Sequence, residues 1–264
     1  MKNTREPASF PARTVVLGCR GVIGKEIVDH IQSLDQPVLG VSSADLDLLD
    51  DTSPGKLQEL LSPGDALVVC SALTPDKGRD IATLMKNLVM VRNVCAGIEG
   101  AELAQVIYLS SDAVYPFGAN AVDEETAAAP ADLYGIMHRA REIMLAETVK
   151  DCPLAILRCT MVLAARDTHN SYGPNRFRRQ AAKDGKIGLG GEGEETRDFI
   201  DVNDVARVVA EVLRHGSDGT LNVATGVSPS FMEVARAVAD CFADKPEIAT
   251  SERRNAITHR KFDI

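Results

Sequence analysis

Short apolar runs alternate along this chain with longer segments in which apolar residues recur at helical spacing. The apolar runs predict buried strands at residues 14–17, 37–41, 66–70, 106–109 and 154–157. The longer segments predict amphipathic helices at residues 25–34, 80–94, 133–149 and 204–213. Strands that alternate with helices are typical of βαβ units, so the pattern predicts an α/β fold with a doubly wound parallel, Rossmann-type sheet.

One stretch breaks this alternation. Residues 165–197 are rich in Gly, Arg, Asn and charged side chains, as expected of an excursion from the sheet that holds a substrate. We therefore expect a dinucleotide-binding domain over residues 12–165, completed by about 198–225. The remaining residues, 166–197 and 226–264, are expected to form a smaller substrate-binding lobe.

Composition narrows the class of protein. The 264 residues carry a formal net charge of −9, only 4% are aromatic and none is Trp, which disfavours a nucleic-acid-binding surface. No apolar run approaches the roughly 20 residues of a membrane span, and the polar N-terminus lacks an apolar signal segment. The six cysteines form no CxxC pair, and His169 has no Cys or carboxylate at ligand spacing. We expect a cytoplasmic globular protein without nucleic-acid, membrane or metal partners.

A glycine-rich turn follows the first predicted strand. Gly18, Gly21 and Gly24 form a GxxGxxG pattern at a strand-to-helix junction. Glycine there lets the backbone approach a pyrophosphate, and the helix N-terminus offers free N–H groups. Together with Val22 and Ile23, these residues predict a dinucleotide site, although an ordinary loop also collects glycine.

The end of the second strand bears on the choice between NAD and NADP. An acidic residue is expected there to bind the adenosine ribose of NAD, but the sequence has Ser42 and Ser43. Arg20, inside the glycine turn, is a cation able to meet a 2′-phosphate. The pattern therefore favours NADP, the alternative being that Arg20 is a solvated loop charge. Asp47 and Leu48 are expected to flank the adenine from the next strand.

Several motifs occur together in a characteristic order. Residues 106–142 include VIYLSSDAVYPFG and LYGIMHRAREIM, residues 65–74 read DALVVCSALT, and residues 196–205 read TRDFIDVNDV. This combination resembles the extended short-chain dehydrogenase/reductase family, the NAD(P)-dependent epimerases and dehydratases of nucleotide sugars. The resemblance extends from residue 14 to about residue 264. Family members usually continue beyond the stretch at 259–264 into further helices, so the C-terminal lobe is expected to be small, either reduced or cut short.

The resemblance implies roles for individual residues. Tyr134 occupies the position of the tyrosine general acid/base of the YxxxK motif, and Ser111 that of the Ser/Thr that orients the reacting oxygen. Such a pair suits hydride transfer at a carbinol carbon, whose oxygen must lose or gain a proton. The resemblance also implies that the cofactor is lined by Ser71, Ala72, Leu73 and Asn87.

The sequence departs from the family at the lysine of this motif. His138 stands four residues after Tyr134, on the same helix face. In the family, the lysine lowers the pKa of the tyrosine and binds the nicotinamide ribose. A histidine is mostly neutral at pH 7 and would lower that pKa less. Two hypotheses follow: His138 is a working substitute with an alkaline-shifted pH optimum, or the protein is a sensor or scaffold that binds NAD(P) without turnover.

The remaining motifs bear on the substrate. Sugar dehydratases of the family carry an Asp-Glu pair after the Ser/Thr. Here Asp112 is kept but Ala113 replaces the Glu, so 4-epimerisation or ketoreduction is favoured over water elimination. The loop at 169–179 resembles the family's NxYGP substrate loop and begins a local cluster of basic residues, which suits a diphosphate. A nucleotide-diphosphate sugar is therefore expected at Tyr172, Asn175, Arg176 and Arg197.

Assembly is also implied by the resemblance. Family members commonly dimerise by packing two helices of each subunit into a four-helix bundle. The helices predicted at residues 80–94 and 133–149 are the candidates, so a homodimer is expected.

Overall fold

The structure is a computed structural model, and it describes residues 1–118, 120–167, 173–253 and 256–264. Within these residues the strands are β1 (Arg13–Leu17), β2 (Val38–Val41), β3 (Asp65–Val69), β4 (Gln105–Ser111), β5 (Ala121–Val122), β6 (Leu154–Cys159), β7 (Met161–Leu163), β8 (Lys186–Gly190), β9 (Phe199–Asp201), β10 (Gly219–Val223), β11 (Glu247–Ser251) and β12 (Lys261–Phe262). The helices are α1 (Val22–Ser33), α2 (Ser53–Leu60), α3 (Ile81–Ile98), α4 (Leu133–Thr148), α5 (Gly173–Asp184), α6 (Val202–His215) and α7 (Phe231–Asp240), with a 3₁₀ turn at Asp112–Val114.

The centre of the molecule is a six-stranded parallel sheet in the order β10-β6-β4-β3-β1-β2. The chain passes from β1 outward to β2 and then returns to β3 on the other side of β1. This reversal is a topological switch point, and in open α/β sheets ligands bind in the crevice at the carboxyl ends of the strands beside it. The fold therefore places a binding crevice at the ends of β1 and β3.

Helices cover both faces of the sheet. Successive residues of a strand point to opposite faces, and Val15 packs with α2, α3 and α4 whereas Val16 packs with α1 and α6. Both cores consist mainly of buried aliphatic side chains, as expected when a parallel sheet is covered on both sides. The doubly wound, Rossmann-type architecture expected from the sequence is confirmed.

A third hydrophobic cluster lies apart from these two cores. It joins α5, β8, α7 and β11 around Phe177, Ile187, Leu189 and Val234. Its helices and strands come from the two segments expected to form the C-terminal lobe. The division into domains itself stays a prediction.

The predicted elements differ from the observed ones mainly at their ends. The first helix begins at Val22, inside the glycine turn, rather than at residue 25. Asp47 and Leu48 do not lie in a strand, contrary to the expectation: they belong to the turns between β2 and α2. The sequence there, DLDLLDD, has strand-like alternation, but its Asp carboxylates accept backbone N–H groups in turns.

Helix α3 is unusually apolar. With 18 residues and a mean hydropathy of 1.3, it is the helix among the described residues that is long and apolar enough to cross a membrane, by length and composition only. One side of it packs between α2 and α4 and buries Asn87, Asn93 and several aliphatic side chains. Its opposite side leaves Ile81 and Met85 exposed.

Candidate functional site

The glycine turn lies in the crevice at the switch point. Gly18 has a φ of +88°, a conformation that side chains other than glycine rarely adopt. A Cβ on Gly18 would also lie 2.9 Å from the backbone N of Ser71, and a Cβ on Gly24 would clash with the Gly18 carbonyl. The turn is thus packed tightly between the end of β3 and the start of α1, which explains two of the three glycines.

The start of α1 is open to a ligand. Gly21 is its N-cap residue and has no side chain to accept a bond from the first turn. The N–H groups of Val22 and Ile23 therefore have no partner within the helix, and the positive end of the helix dipole faces the same way. Free N–H groups at a helix start after a glycine turn suit a pyrophosphate, so this geometry fits a dinucleotide.

The other end of the crevice contains an acid that the sequence analysis missed. Asp45 accepts hydrogen bonds from the N–H (2.9 Å) and the O–H (2.6 Å) of Ser42. These bonds, with a smaller contribution from the positive charge of Arg20, lower the pKa of Asp45. The acidic residue was expected at the end of β2 and instead lies three residues later, folded back onto it. Ser43 is exposed beside it.

The predicted adenine-flanking pair is split between surface and core. Asp47 is exposed and accepts a hydrogen bond from the Leu49 N–H at 3.0 Å. Leu48 is buried in the core beneath α3. Of the two, only Asp47 has a side chain exposed to a ligand.

The turn after β3 is held from two helices. Asn87 is buried on α3, where it accepts the N–H of Leu73 at 2.8 Å and donates to the Leu73 carbonyl at 3.0 Å. Arg141 on α4 donates to the Ser71 carbonyl at 2.7 Å. The predicted segment Ser71–Ala72–Leu73 is thus a rigid wall against Gly18. Arg141 was not predicted, because its partner lies 70 residues away in the sequence.

Ser111 and Tyr134 come from elements that meet closely. Ser111 ends β4, and its Oγ accepts the Ala113 N–H at 3.2 Å and donates to Asp112 at 3.3 Å. Helix α4 begins at Leu133, capped by Asp132, and a Cβ on Gly135 would clash with the Ala113 carbonyl. Because only a glycine fits there, the first turn of α4, with Tyr134, lies against the turn that follows Ser111.

His138 is buried beneath Tyr134. The two rings meet edge to face, with centroids 4.7 Å apart. The Nδ1 atom lies 2.7 Å from the hydroxyl of Tyr108 on β4, and Nε2 is buried without a hydrogen-bond partner. Burial, and to a lesser extent the positive charge of Arg141, lowers the pKa of His138 to about 3. The imidazole is therefore neutral at neutral pH.

Asp112 is paired with a cation from the far end of the chain. Its Oδ2 lies 3.1 Å from Nη1 of Arg260, which also donates to the Tyr115 carbonyl at 2.8 Å. Arg260 and Arg197 both stack on Phe117, with their Cζ atoms 4.2 and 4.7 Å from the ring centroid. Arg260 was not predicted, since nothing in the local sequence indicates a partner so far away.

Arg197 is anchored beside this pair. It donates to the Thr258 carbonyl at 2.8 Å, and burial, followed by the charge of Arg260, lowers its pKa. Two guanidinium groups and one carboxylate therefore lie close together next to Ser111. Such a cluster favours an anionic ligand.

The other predicted substrate residues lie at the start of α5. Asn175 is buried and donates to Asp167 at 2.6 Å, so its amide orients a carboxylate. Arg176 stacks on Phe177, and its buried Nε has no hydrogen-bond partner. Tyr172 and His169 lie outside the described residues. Among the residues that the structure does describe, no group of three or more His, Cys, Asp or Glu side chains is arranged to hold a metal ion.

The switch-point crevice, the glycine turn and the open helix start are the features of a Rossmann-type, dinucleotide-binding fold. The model of the NAD dependent epimerase/dehydratase family matches residues 14–224, and the chain belongs to that family. The resemblance to the extended short-chain dehydrogenase/reductases is thereby confirmed.

Solved structures show the same fold at low sequence identity. UDP-glucose 4-epimerase of Thermus thermophilus, in complex with NAD, is 20% identical with a TM-score of 0.84, over 95% of this chain and 90% of that one. UDP-N-acetylglucosamine 4-epimerase of Methanobrevibacter ruminantium, in complex with UDP-N-acetylmuramic acid, is 22% identical with a TM-score of 0.84, over 97% and 90%. The RMD protein of Pseudomonas aeruginosa, complexed with NADPH, is 22% identical with a TM-score of 0.82, over 95% and 89%.

Proposed function

We propose that this protein is an NAD(P)-dependent epimerase or reductase of a nucleotide-diphosphate sugar that works by hydride transfer, with Tyr134 as general acid/base. The observation that carries the proposal is the contact between Gly135 and the Ala113 carbonyl, which brings Tyr134 to the turn after Ser111. The neighbouring UDP-glucose 4-epimerase contains NAD and the RMD protein contains NADPH. Those complexes support both the cofactor and the substrate class.

Each residue of the site has a defined part in this chemistry. A nicotinamide dinucleotide bound in the crevice would supply the acceptor and donor of the hydride that leaves or returns to the sugar carbon. The hydroxyl of Tyr134 takes or gives the proton of the sugar oxygen, and the hydroxyl of Ser111 donates a hydrogen bond that orients that oxygen. Asp112 is bound to Arg260 and Ser111, so it positions both groups. Ala113 has no base to offer, which favours epimerisation or reduction over elimination.

The cofactor is held by the crevice residues. The N–H groups of Val22 and Ile23 bind the pyrophosphate, and His138 binds a ribose hydroxyl. Arg20 is the group that would bind the 2′-phosphate of NADP. The positive charge of Arg20 contributes to the lowered pKa of Asp45, so the two side chains lie close together. The Asp45 carboxylate would repel a 2′-phosphate unless the charge of Arg20 offsets it. A preference for NADP is therefore tested by Arg20→Ala, which should weaken NADP binding about tenfold and leave NAD binding within about twofold.

The diphosphate of the substrate is assigned to the basic residues of the lobe. Arg197, Arg176, Asn175 and Tyr172 are the proposed contacts. The net positive charge of Arg197 and Arg260 beside Phe117 supports this assignment.

A homodimer is proposed through α3 and α4. These helices pack together, and each carries two exposed apolar side chains: Ile81 and Met85 on α3 are 69% and 53% exposed, and Ile136 and Ile143 on α4 are 42% and 53% exposed. Large exposed apolar side chains at helical spacing are typical of an interface.

Met85→Glu combined with Ile143→Glu should halve the mass measured by light scattering. An unchanged mass would argue against these helices as the interface.

The decisive experiment compares Tyr134→Phe with the wild type. With NAD, NADP and a panel of nucleotide sugars, the variant should lose about 10²- to 10⁴-fold in kcat, with its cofactor Kd within about threefold. Net consumption of NADPH identifies a reductase, whereas turnover without net cofactor change identifies an epimerase. Full activity in Tyr134→Phe would refute the proposed mechanism.

A second function is favoured by the neutral state of His138. Without a cation in the place of the lysine, the protein would bind NAD(P) as a sensor or scaffold without turnover. Tight cofactor binding by the wild type with no reaction across the panel of sugars would support this alternative over the enzyme.

A further inference from the structure

The atoms around Tyr108 and His138 indicate which of the two donates the hydrogen bond between them. If Tyr108 donates, its O–H and the His138 Nδ1 are both satisfied, and only the Nε2–H lacks a partner. If His138 donates instead, two buried groups are left: the Tyr108 O–H and the bare Nε2 atom. A buried polar group without a partner costs about 1–3 kcal/mol, so the first arrangement is favoured. Burial also raises the pKa of Tyr108, which keeps its proton.

The charges around His138 oppose a second proton on the ring. Arg141 is fully buried, with its Cζ 5.2 Å above the Tyr108 ring. Within the described part of the chain it binds the Ser71 carbonyl, Asn87 and the Met137 sulfur, and no carboxylate. Glu142, the next residue, is instead bound to Arg158 and Ser110. A protonated His138 would place a second cation in this cluster.

We propose that Tyr108 is a positioning residue of the cofactor site, which fixes His138 as the Nε2–H tautomer so that a neutral imidazole donates to a cofactor hydroxyl. Arg141 assists by disfavouring the protonated ring. The donor role rests on the proposed cofactor site. The partnerless Nε2, buried beneath Tyr134, is the atom that the ribose hydroxyl would satisfy. Tyr108 touches neither cofactor nor substrate, and it acts through His138.

The tautomer is tested in the free protein by nitrogen NMR on histidine-labelled samples. Between pH 5 and pH 8, His138 should show a protonated Nε2 and an unprotonated Nδ1, with the signals assigned by their loss in His138→Gln. Tyr108→Phe should give a mixture of tautomers. Tyr115→Phe removes another buried tyrosine hydroxyl, bound to Arg158 and Asn222, and should leave the His138 signals unchanged. A protonated Nδ1 in the wild type, or titration between pH 5 and pH 8, would overturn the proposal.

The donor role is tested by calorimetry with the preferred cofactor. Tyr108→Phe should weaken binding about 3- to 10-fold, as expected for one hydrogen bond. His138→Gln keeps a neutral donor near the Nε2 position and should stay within about threefold, whereas His138→Asn reaches only the Nδ1 position and should lose about tenfold. Adding Tyr108→Phe to His138→Gln should cause no further loss, because an amide has no tautomer to fix.

The outcomes separate this proposal from the proposed function. Equal affinity in Tyr108→Phe and the wild type, or additive losses in the double variant, would overturn the positioning role while leaving the cofactor site intact. A wild type that binds neither NAD nor NADP would overturn the proposed function and the donor role together, whatever tautomer the NMR spectra show.

Discussion

At the scale of single residues, His138 shows how neighbours change the chemistry of a side chain. The family motif predicts a weaker substitute for lysine at this position, an imidazole that carries a positive charge part of the time. Its burial against Tyr108, Tyr134 and Arg141 removes that charge, since the pKa falls to about 3. What is left is a neutral hydrogen-bonding group. The local pattern indicates the position of this residue but not its protonation state, which depends on groups in other turns and strands.

The lowered pKa of His138 makes stability depend on pH. The unfolded chain binds a proton near pH 6.5 and the folded protein only near pH 3, so stability is full above pH 6.5 and is lost as the pH falls toward 3. Going from pH 7 to pH 5 should cost the wild type about 2 kcal/mol through this residue. Urea unfolding of His138→Gln should lack that part of the loss, whereas His30→Gln should retain it. Equal pH dependence in His138→Gln and the wild type would contradict the prediction.

Restoring the lysine should change the pH dependence of turnover. The reference pKa of lysine is about four units above that of histidine, so His138→Lys keeps a positive charge where the buried imidazole does not. That charge lowers the pKa of the Tyr134 phenol, so the rising limb of kcat against pH should move about one unit toward acid. His138→Gln, which is neutral, should keep the wild-type midpoint. If the lysine and glutamine variants share one profile, the charge at this position does not set the phenol pKa.

At the scale of elements, α4 is tied to the sheet by a buried ion pair. Glu142 accepts from Ser110 on β4 at 2.6 Å and from Arg158 on β6 at 2.9 and 3.0 Å. Arg158 also donates to the hydroxyl of Tyr115, which itself donates to Asn222 on β10. This network joins the second half of α4 to three neighbouring strands, and Ser110 in it directly precedes Ser111. The position of Tyr134 relative to Ser111 therefore depends on it.

Removing the charge of Glu142 should be costly. Glu142→Gln leaves Arg158 as a buried cation without its partner, so the free energy of unfolding should fall by about 3–5 kcal/mol in urea titrations. Glu147→Gln, on the exposed side of the same helix and paired with Lys150, should change it by less than about 0.5 kcal/mol. Similar losses in both variants would show that the network does not anchor the helix.

At the scale of the whole molecule, we expect the cofactor to contact β1, β3 and α1 together and so to stabilise the folded state. A ligand that binds only the folded state adds about 2.7 kcal/mol at 100 times its Kd. Gly18→Ala should abolish this gain, because Gly18 has a φ of +88° and a Cβ there would meet the Ser71 N at 2.9 Å.

The matched control is Gly64→Ala. Gly64 has a similar φ of +82°, but a Cβ there has only Ala12 nearby, at 3.7 Å. Both variants should lose about 1–3 kcal/mol of stability from backbone strain, and only Gly64→Ala should still be stabilised by the cofactor in thermal unfolding. Loss of cofactor stabilisation in both would mean that strain, and not the crevice, is responsible.

The sequence predicts the features that depend on residues close together in the chain, and misses most of those that depend on distant partners. Buried strands, the glycine turn and the pair Ser111 and Tyr134 are encoded in short patterns, and the family resemblance assembled them correctly into a Rossmann-type sheet. Arg141 and Arg260 were missed because their partners lie on other elements, whereas Asp45 was missed because the turn folds it back onto Ser42. No local pattern links Arg260 to Asp112, and only the fold brings them together.

That long-range pair sets an order of events during synthesis. Arg260 also binds the carbonyl of Tyr115, which is synthesised 145 residues earlier. At about 5–20 residues per second, this separation corresponds to roughly 7–30 s. Throughout this interval, Asp112 lacks its cation, and β5 lacks β12, its partner strand. The glycine turn and the strands beside it are complete much earlier. The proposed dinucleotide site is therefore synthesised well before the proposed sugar site is complete.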